Sequence, residues 1–188
     1  MRSLSFVAGC LAVLIAGAAS AQSIEEKAQV CTACHGENGK PISPEIPNIW
    51  GQKEGYIYIE LRDFKIAQRK NELMSPIAAG LEKPDMQALA KYFSDKAWTN
   101  FEQKSADSAS QKQAEIVAAS AQCEGCHLRG YLGDGVVPRV AGQQEAYLLK
   151  TMKDFRSGER NNNNWMVSLL KTYTDGDILA LSKFLAGL

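Results

Sequence analysis

The chain has 188 residues, 45 % of them hydrophobic and 22 % charged, so it is neither a disordered polymer nor a chain embedded in a bilayer along its length. Its 21 basic side chains balance 21 acidic ones, without the basic excess of a nucleic-acid binder. With only 2 His and 5 Cys, any site that needs three imidazoles is excluded.

At the N-terminus, Arg2 precedes an apolar run from Leu4 to Ala19 and the small-x-small triplet Ala19-Ser20-Ala21. That is the layout of an export signal, so residues 1–21 are expected to be removed, Cys10 with them, and the mature chain to begin at Gln22. The run is shorter than the ~20 apolar residues of a membrane span. No transmembrane span is expected in the mature chain. Export to the periplasm would place Cys31, Cys34, Cys123 and Cys126 where free thiols become paired or ligated.

The mature chain is an internal duplication. Cys31-Thr32-Ala33-Cys34-His35 recurs as Cys123-Glu124-Gly125-Cys126-His127, and the segment Pro47 to Gln52 recurs as Pro138 to Gln143. Tyr56 matches Tyr147, Asp63-Phe64-Lys65 matches Asp154-Phe155-Arg156, and Arg69 matches Arg160. Beyond one inserted residue among Asn161 to Asn164, Met74 matches Met166, Asp85 matches Asp177 and Leu89 matches Leu181. Two copies are too few for a solenoid, so two similar small domains are expected, at 22–96 and 113–188. Residues 97–112 read as a linker, polar and without apolar period from Ser105 on, with Trp98 and Phe101 pinning its start to a domain.

Each copy predicts an all-α fold. Ile57, Leu61 and Phe64 form a helical stripe, and Leu148, Met152 and Phe155 repeat it. Met86, Leu89, Ala90 and Phe93 form a second, repeated by Ile178, Leu181, Ser182 and Leu185. Asp85 and Asp177 open these last helices, where a carboxylate suits the amide dipoles, and Pro84 is tolerated in a first turn. No alternating strand pattern of useful length is present. Three short helices per copy, joined by long loops, are expected.

C-x-x-C-H is the attachment signature of a c-type haem. Thiols at i and i+3 lie on one side of a helical turn, in position to form thioethers with the two haem vinyl groups. The His at i+4 shares that face and reaches the iron. Two copies of the motif use every mature Cys and both His, which predicts two haem c groups. A zinc site would want its C-x-x-C pairs about 15 to 20 residues apart, and a thiol-redox pair needs no following His. A copy this small also has a thin core that a cofactor would staple.

With no third His, Met is the next common axial ligand in cytochromes c. Met74 and Met166 lie equally far beyond His35 and His127, in what read as loops before the last helix, and are the candidate ligands. Met86 and Met152 fall in apolar stripes and read as core. The carbonyls of Pro47 and Pro138 are candidate partners for the second ring nitrogen of each His. Tyr56, Tyr147, Trp50 and Trp165 either edge the haems or pack in the core. Arg69 and Arg160 either pair with haem propionates or lie on solvated faces. The Asn161 to Asn164 run carries no assigned chemistry.

The duplicated CxxCH, the Pro-x-x-x-Gly-Gln segment after each, Met74-Ser75-Pro76 and the closing Asp-x-x-Ala-Leu helix resemble the dihaem cytochrome c4 family of class I c-type cytochromes. The resemblance covers nearly all of the mature chain. It implies two tandem cytochrome c-like domains, each a few short helices wrapped around a covalently bound haem, with the haems close across the boundary. It assigns Cys31, Cys34, His35 and Met74 to one haem, and Cys123, Cys126, His127 and Met166 to the other. Arg139 in place of Asn48, Met166 without a following Ser-Pro, and the Asn run depart from the pattern.

His/Met ligation leaves no open iron position, so the expectation is a periplasmic electron carrier and not an enzyme, its partners redox proteins that donate and accept electrons. Two alternatives stand beside it. The cytochrome subunit of flavocytochrome c sulfide dehydrogenase resembles the same architecture and would imply a flavoprotein partner. A catalytic dihaem enzyme would leave one iron without its Met.

Overall fold

The computed structural model describes residues 22–188. The expected export signal lies outside them. The first copy contains α1 (Ile24–His35), α2 (Glu54–Lys65), α3 (Met74–Ala79) and α4 (Lys83–Ser94). The second contains α5 (Ser108–Ser120), α6 (Cys123–His127), a 3₁₀ turn at Arg129–Tyr131, α7 (Glu145–Ser157), α8 (Asn164–Leu170) and α9 (Asp175–Ala186). Among the described residues the only β pairing is the isolated bridge between Asp134 and Val137.

Local chemistry sets the helix starts. Ser23 and Glu26 form a capping box at α1, Glu82 and Asp85 one at α4 with Pro84 in the first turn, and Thr174 and Asp177 one at α9. The two stripes read from the sequence face two separate cores. Ile57 and Leu61 of α2 pack with Ala28 of α1 and with Met86, Leu89 and Phe93 of α4. Leu148, Met152 and Phe155 of α7 pack with Ala114 and Val117 of α5 and with Ile178 and Leu181 of α9. Leu89, Phe93 and Ile178 are essentially inaccessible to solvent. Truncating any of them to Ala costs about 2–5 kcal/mol by lost burial and the cavity left behind.

The structure corrects three local expectations. First, α5 starts at Ser108, inside the stretch read as linker. The Asp107 carboxylate caps it by accepting from Ser110 N–H at 2.9 Å, and its buried face is made of the small residues Ala114, Val117 and Ala118, which give a weak apolar period. Second, Met74 and Met166 lie in short helices, α3 and α8, and not in loops. Third, each copy therefore has more than three helices.

What remains of the linker is a strap tied to both copies. Thr99 donates to Asn38 O at 2.8 Å, while Gln103 Nε2 donates to Gln143 O at 3.0 Å and Gln103 Oε1 accepts from Glu145 N–H at 2.9 Å. The Arg139 guanidinium stacks on Trp98 at 4.4 Å. Gly51 and Gly142 both have positive φ and lie where this strap passes, and a Cβ on Gly51 would sit 2.8 Å from Trp98 N.

Candidate functional site

The two C-x-x-C-H motifs occupy related but unequal helices. In the first, Cys31, Cys34 and His35 form the last turn of α1, which ends at Gly36. Gly36 adopts φ 85°, and a Cβ there would sit 2.0 Å from the Lys40 carbonyl oxygen. In the second, the helix breaks at Gln122, in the left-handed region, and restarts as α6. There Leu128 takes the turn at φ 60°, a conformation that costs about 1–3 kcal/mol for a non-glycine residue. The turn is closed from the far side, where Gly133 N–H donates to His127 O at 2.7 Å.

Both imidazoles are held the same way. His35 Nδ1 lies 2.8 Å from the Pro47 carbonyl oxygen, and His127 Nδ1 lies 2.9 Å from that of Pro138. A carbonyl can only accept, so each bond places the ring proton on Nδ1 and leaves Nε2 as a bare lone pair. Burial holds both rings below the usual imidazole range, partly offset by these bonds, so the neutral, ligating form is favoured. Burial likewise pushes the Cys31 thiol up to about 11 and that of Cys123 in the same direction.

The two Met residues are positioned by one device used twice. Asn71 Oδ1 accepts from Met74 N–H at 2.9 Å, and Asn163 Oδ1 accepts from Met166 N–H at 3.2 Å. Both side chains are partly buried against their own cores. The Asn run, without assigned chemistry in the sequence, thus includes the cap of α8.

Between the copies lies a polar cluster that sequence reasoning missed. Glu60 accepts from Arg69 at 2.6 Å and from Arg160 at 2.5 Å. Arg69 also donates to Tyr147 OH at 3.3 Å, and Arg160 to Tyr56 OH at 3.2 Å, each guanidinium reaching the tyrosine of the other copy. Asn162 Nδ2 donates to Asp63 at 2.8 Å and to Glu60. Neither arginine lies on a solvated face: Arg160 is 6 % exposed. Trp165, by contrast, is 87 % exposed and belongs to no core.

The segment after each motif also crosses between copies. Gln143 grips the backbone of Asn48, accepting from its N–H at 2.9 Å and donating to its carbonyl at 3.0 Å. Gln52 grips Arg139 in the same way, at 2.8 and 2.9 Å.

No family model matches the chain. Cytochrome c4 of Thiocapsa roseopersicina is 33% identical to it, over 89% of this chain and 92% of its own length. The chain belongs to the cytochrome c4 family. The solved structure of reduced recombinant cytochrome c4 from Pseudomonas stutzeri superposes with a TM-score of 0.79 at 31% identity, covering 88% of this chain and 96% of that one. A thiosulfate dehydrogenase electron acceptor of Stutzerimonas stutzeri is 28% identical, over 97% of this chain and 93% of its own length. The chain is therefore a two-haem c-type cytochrome with two cytochrome c domains, and an electron-transfer protein in place of an enzyme.

The residues present suit that cytochrome c4 cofactor. Each motif offers two thiols and an imidazole with a free Nε2. Two buried donors, Asn48 Nδ2 and Trp50 Nε1, have no acceptor among the described residues. Haem propionates are acceptors of the class such donors require. Among the described residues no three His, Cys, Asp or Glu side chains converge as they would in a zinc site, and no helix is long and apolar enough to cross a membrane.

Proposed function

We propose that this member of the cytochrome c4 family is a periplasmic carrier that takes electrons from one redox protein and delivers them to another. Cys31 and Cys34 would hold one haem and Cys123 and Cys126 the other, with His35 and Met74, and His127 and Met166, as the ligands of the two irons. The observation that supports this reading is that one arrangement of His, Pro, Asn and Met is repeated in both copies. Each His presents Nε2 with its Nδ1 proton fixed on a proline carbonyl, and each Met N–H is held by the Asn three residues before it. When bound, the haem iron supplies a one-electron couple.

The protein's own part is to keep that couple simple. A thioether is soft and neutral, favours the reduced iron and raises the potential. A neutral imidazole whose far nitrogen is already hydrogen-bonded is a stronger and fixed donor. With a His and a Met holding each iron, no coordination site would be left for substrate, as a carrier requires. The named relative that accepts electrons from thiosulfate dehydrogenase supports a sulfur-oxidising enzyme as one class of donor.

A redox titration of the purified protein followed in the near infrared tests this reading. Two haems per chain, each with a Met–iron charge-transfer band, are expected. Met74→Ala and Met166→Ala should each remove one band and lower that haem's potential. Unchanged spectra in both variants would refute the ligand assignment.

A further inference from the structure

The peptide group between Pro47 and Asn48 is shared by two hydrogen bonds that point in opposite directions. Its carbonyl accepts from His35 Nδ1 at 2.8 Å, and its N–H donates to Gln143 Oε1 at 2.9 Å. Gln143 belongs to the other copy. The arrangement recurs with the copies exchanged: the peptide between Pro138 and Arg139 accepts from His127 Nδ1 at 2.9 Å and donates to Gln52 Oε1 at 2.8 Å. Each iron-side histidine is thus two hydrogen bonds from a glutamine across the boundary.

We infer that Gln52 and Gln143 are positioning residues that act crosswise, each strengthening the carbonyl acceptor behind the other copy's histidine and so lowering the reduction potential of the haem on the opposite side. The inference rests on the reading of His35 and His127 as axial ligands.

The physics is that of a polarised amide. An acceptor on the N–H of a peptide group pushes electron density toward its carbonyl oxygen, because hydrogen bonds in a chain reinforce one another in low dielectric. A stronger acceptor at Nδ1 gives the imidazole more imidazolate character and makes Nε2 a better donor. A better donor favours ferric over ferrous iron, and the potential falls.

The two glutamines are built for this and not merely near it. Gln52 is 4 % exposed and Gln143 3 %. Each carboxamide satisfies both halves of one backbone residue, so the backbone's own polarity decides which end is oxygen. Each Oε1 is held by a second donor from its own chain segment, Lys53 N–H at 2.9 Å and Gln144 N–H at 3.0 Å. Loose side chains do not produce the same three bonds twice.

The test is made on the holoprotein with Gln143→Met and Gln52→Met, which keep the length of the side chain and remove its acceptor. Gln143→Asn, which keeps the carboxamide and withdraws it by one methylene, covers the case in which the Met variant folds poorly. Each haem's oxidation is followed by proton NMR through its own axial-ligand resonances, and the Asn48 and Arg139 amides by hydrogen exchange. Gln143→Met should speed exchange at Asn48 and shift the His35 haem toward easier reduction, by up to about tenfold in its equilibrium constant. The His127 haem should stay in place, and Gln52→Met should do the mirror image. An equal shift at both haems, a shift confined to the glutamine's own copy, or an exposed Asn48 amide with no shift would overturn the proposal. If the His35 ring protons of the unaltered protein show no paramagnetic shift, the ligand reading fails instead, before any variant is made.

Discussion

Arg160 of the second copy donates to Glu60 of the first at 2.5 Å, at a point where both side chains are nearly withdrawn from water. The same carboxylate also holds Arg69 at 2.6 Å. One acid therefore neutralises part of two guanidiniums, one from each copy. Removing one member of such a group strands the others as buried charges, a cost of about 3–5 kcal/mol. Glu60→Gln keeps the shape and loses the charge. It should lower the unfolding free energy by about 3 kcal/mol, read from the denaturant midpoint at unchanged slope.

The same carboxylate predicts acid sensitivity. Burial alone would raise the Glu60 carboxyl, but Arg160 and Arg69 outweigh it and hold it below its ordinary 4.5. A carboxyl lowered by folding stabilises the native state above its unfolded-state value, and that contribution is lost as pH falls through the folded-state value. The stability of the protein should therefore decline as pH drops below about 4.5, and Glu60→Gln should flatten that decline. Denaturant titrations at a series of pH values check both; an identical slope in the variant would remove Glu60 from the explanation.

Two glycines with nearly the same φ but different ψ, 141° at Gly36 and 5° at Gly158, should respond differently to alanine. Gly36 has φ 85° with the Lys40 carbonyl in the way of a Cβ, while Gly158 has φ 82° and nothing within 4 Å. Gly158→Ala should cost only the left-handed conformation, about 1 kcal/mol. Gly36→Ala adds a backbone clash beside Cys34 and His35, so it should cost more than about 2 kcal/mol and reduce the haem content of the first domain. Thermal denaturation and a pyridine haemochrome assay give the two readouts.

The two Asn acceptors should govern how firmly each Met is presented. Asn71→Ala and Asn163→Ala each remove a side-chain acceptor at the first turn of a short helix, a loss of about 1 kcal/mol. Each substitution should lower the temperature at which one Met–iron band disappears on heating, before global unfolding. Bands that persist as in the unaltered protein would detach the two acceptors from ligation.

Much of this was legible in the chain because duplication supplied an internal comparison. The stripe through Ile57, Leu61 and Phe64 recurs at Leu148, Met152 and Phe155, and those helices form as read. Asp85 and Asp177 open α4 and α9 in capping boxes for the same reason. α5 was not legible, because a face of Ala114, Val117 and Ala118 carries little hydrophobic contrast and its helix is stabilised by packing on α9. α3 and α8 are too short for a period to declare itself. Arg69 and Arg160 read as either surface charges or propionate partners, since their partners, Glu60, Tyr56 and Tyr147, come together only when the copies meet. Gln52 and Gln143 were visible as a repeated pair, but a repeat cannot say that each one's partner lies in the opposite copy.

The duplication is unequal at one buried position. By the repeat's own register, Thr151 stands in the second copy where Glu60 stands in the first, and Arg160 Nη1 approaches its hydroxyl at 3.4 Å. Two identical halves would offer an electron two sites of equal energy and no preferred direction. A buried carboxylate in one copy, with only a hydroxyl at the matching place in the other and a medium that screens poorly, lifts that degeneracy and gives the molecule a front and a back.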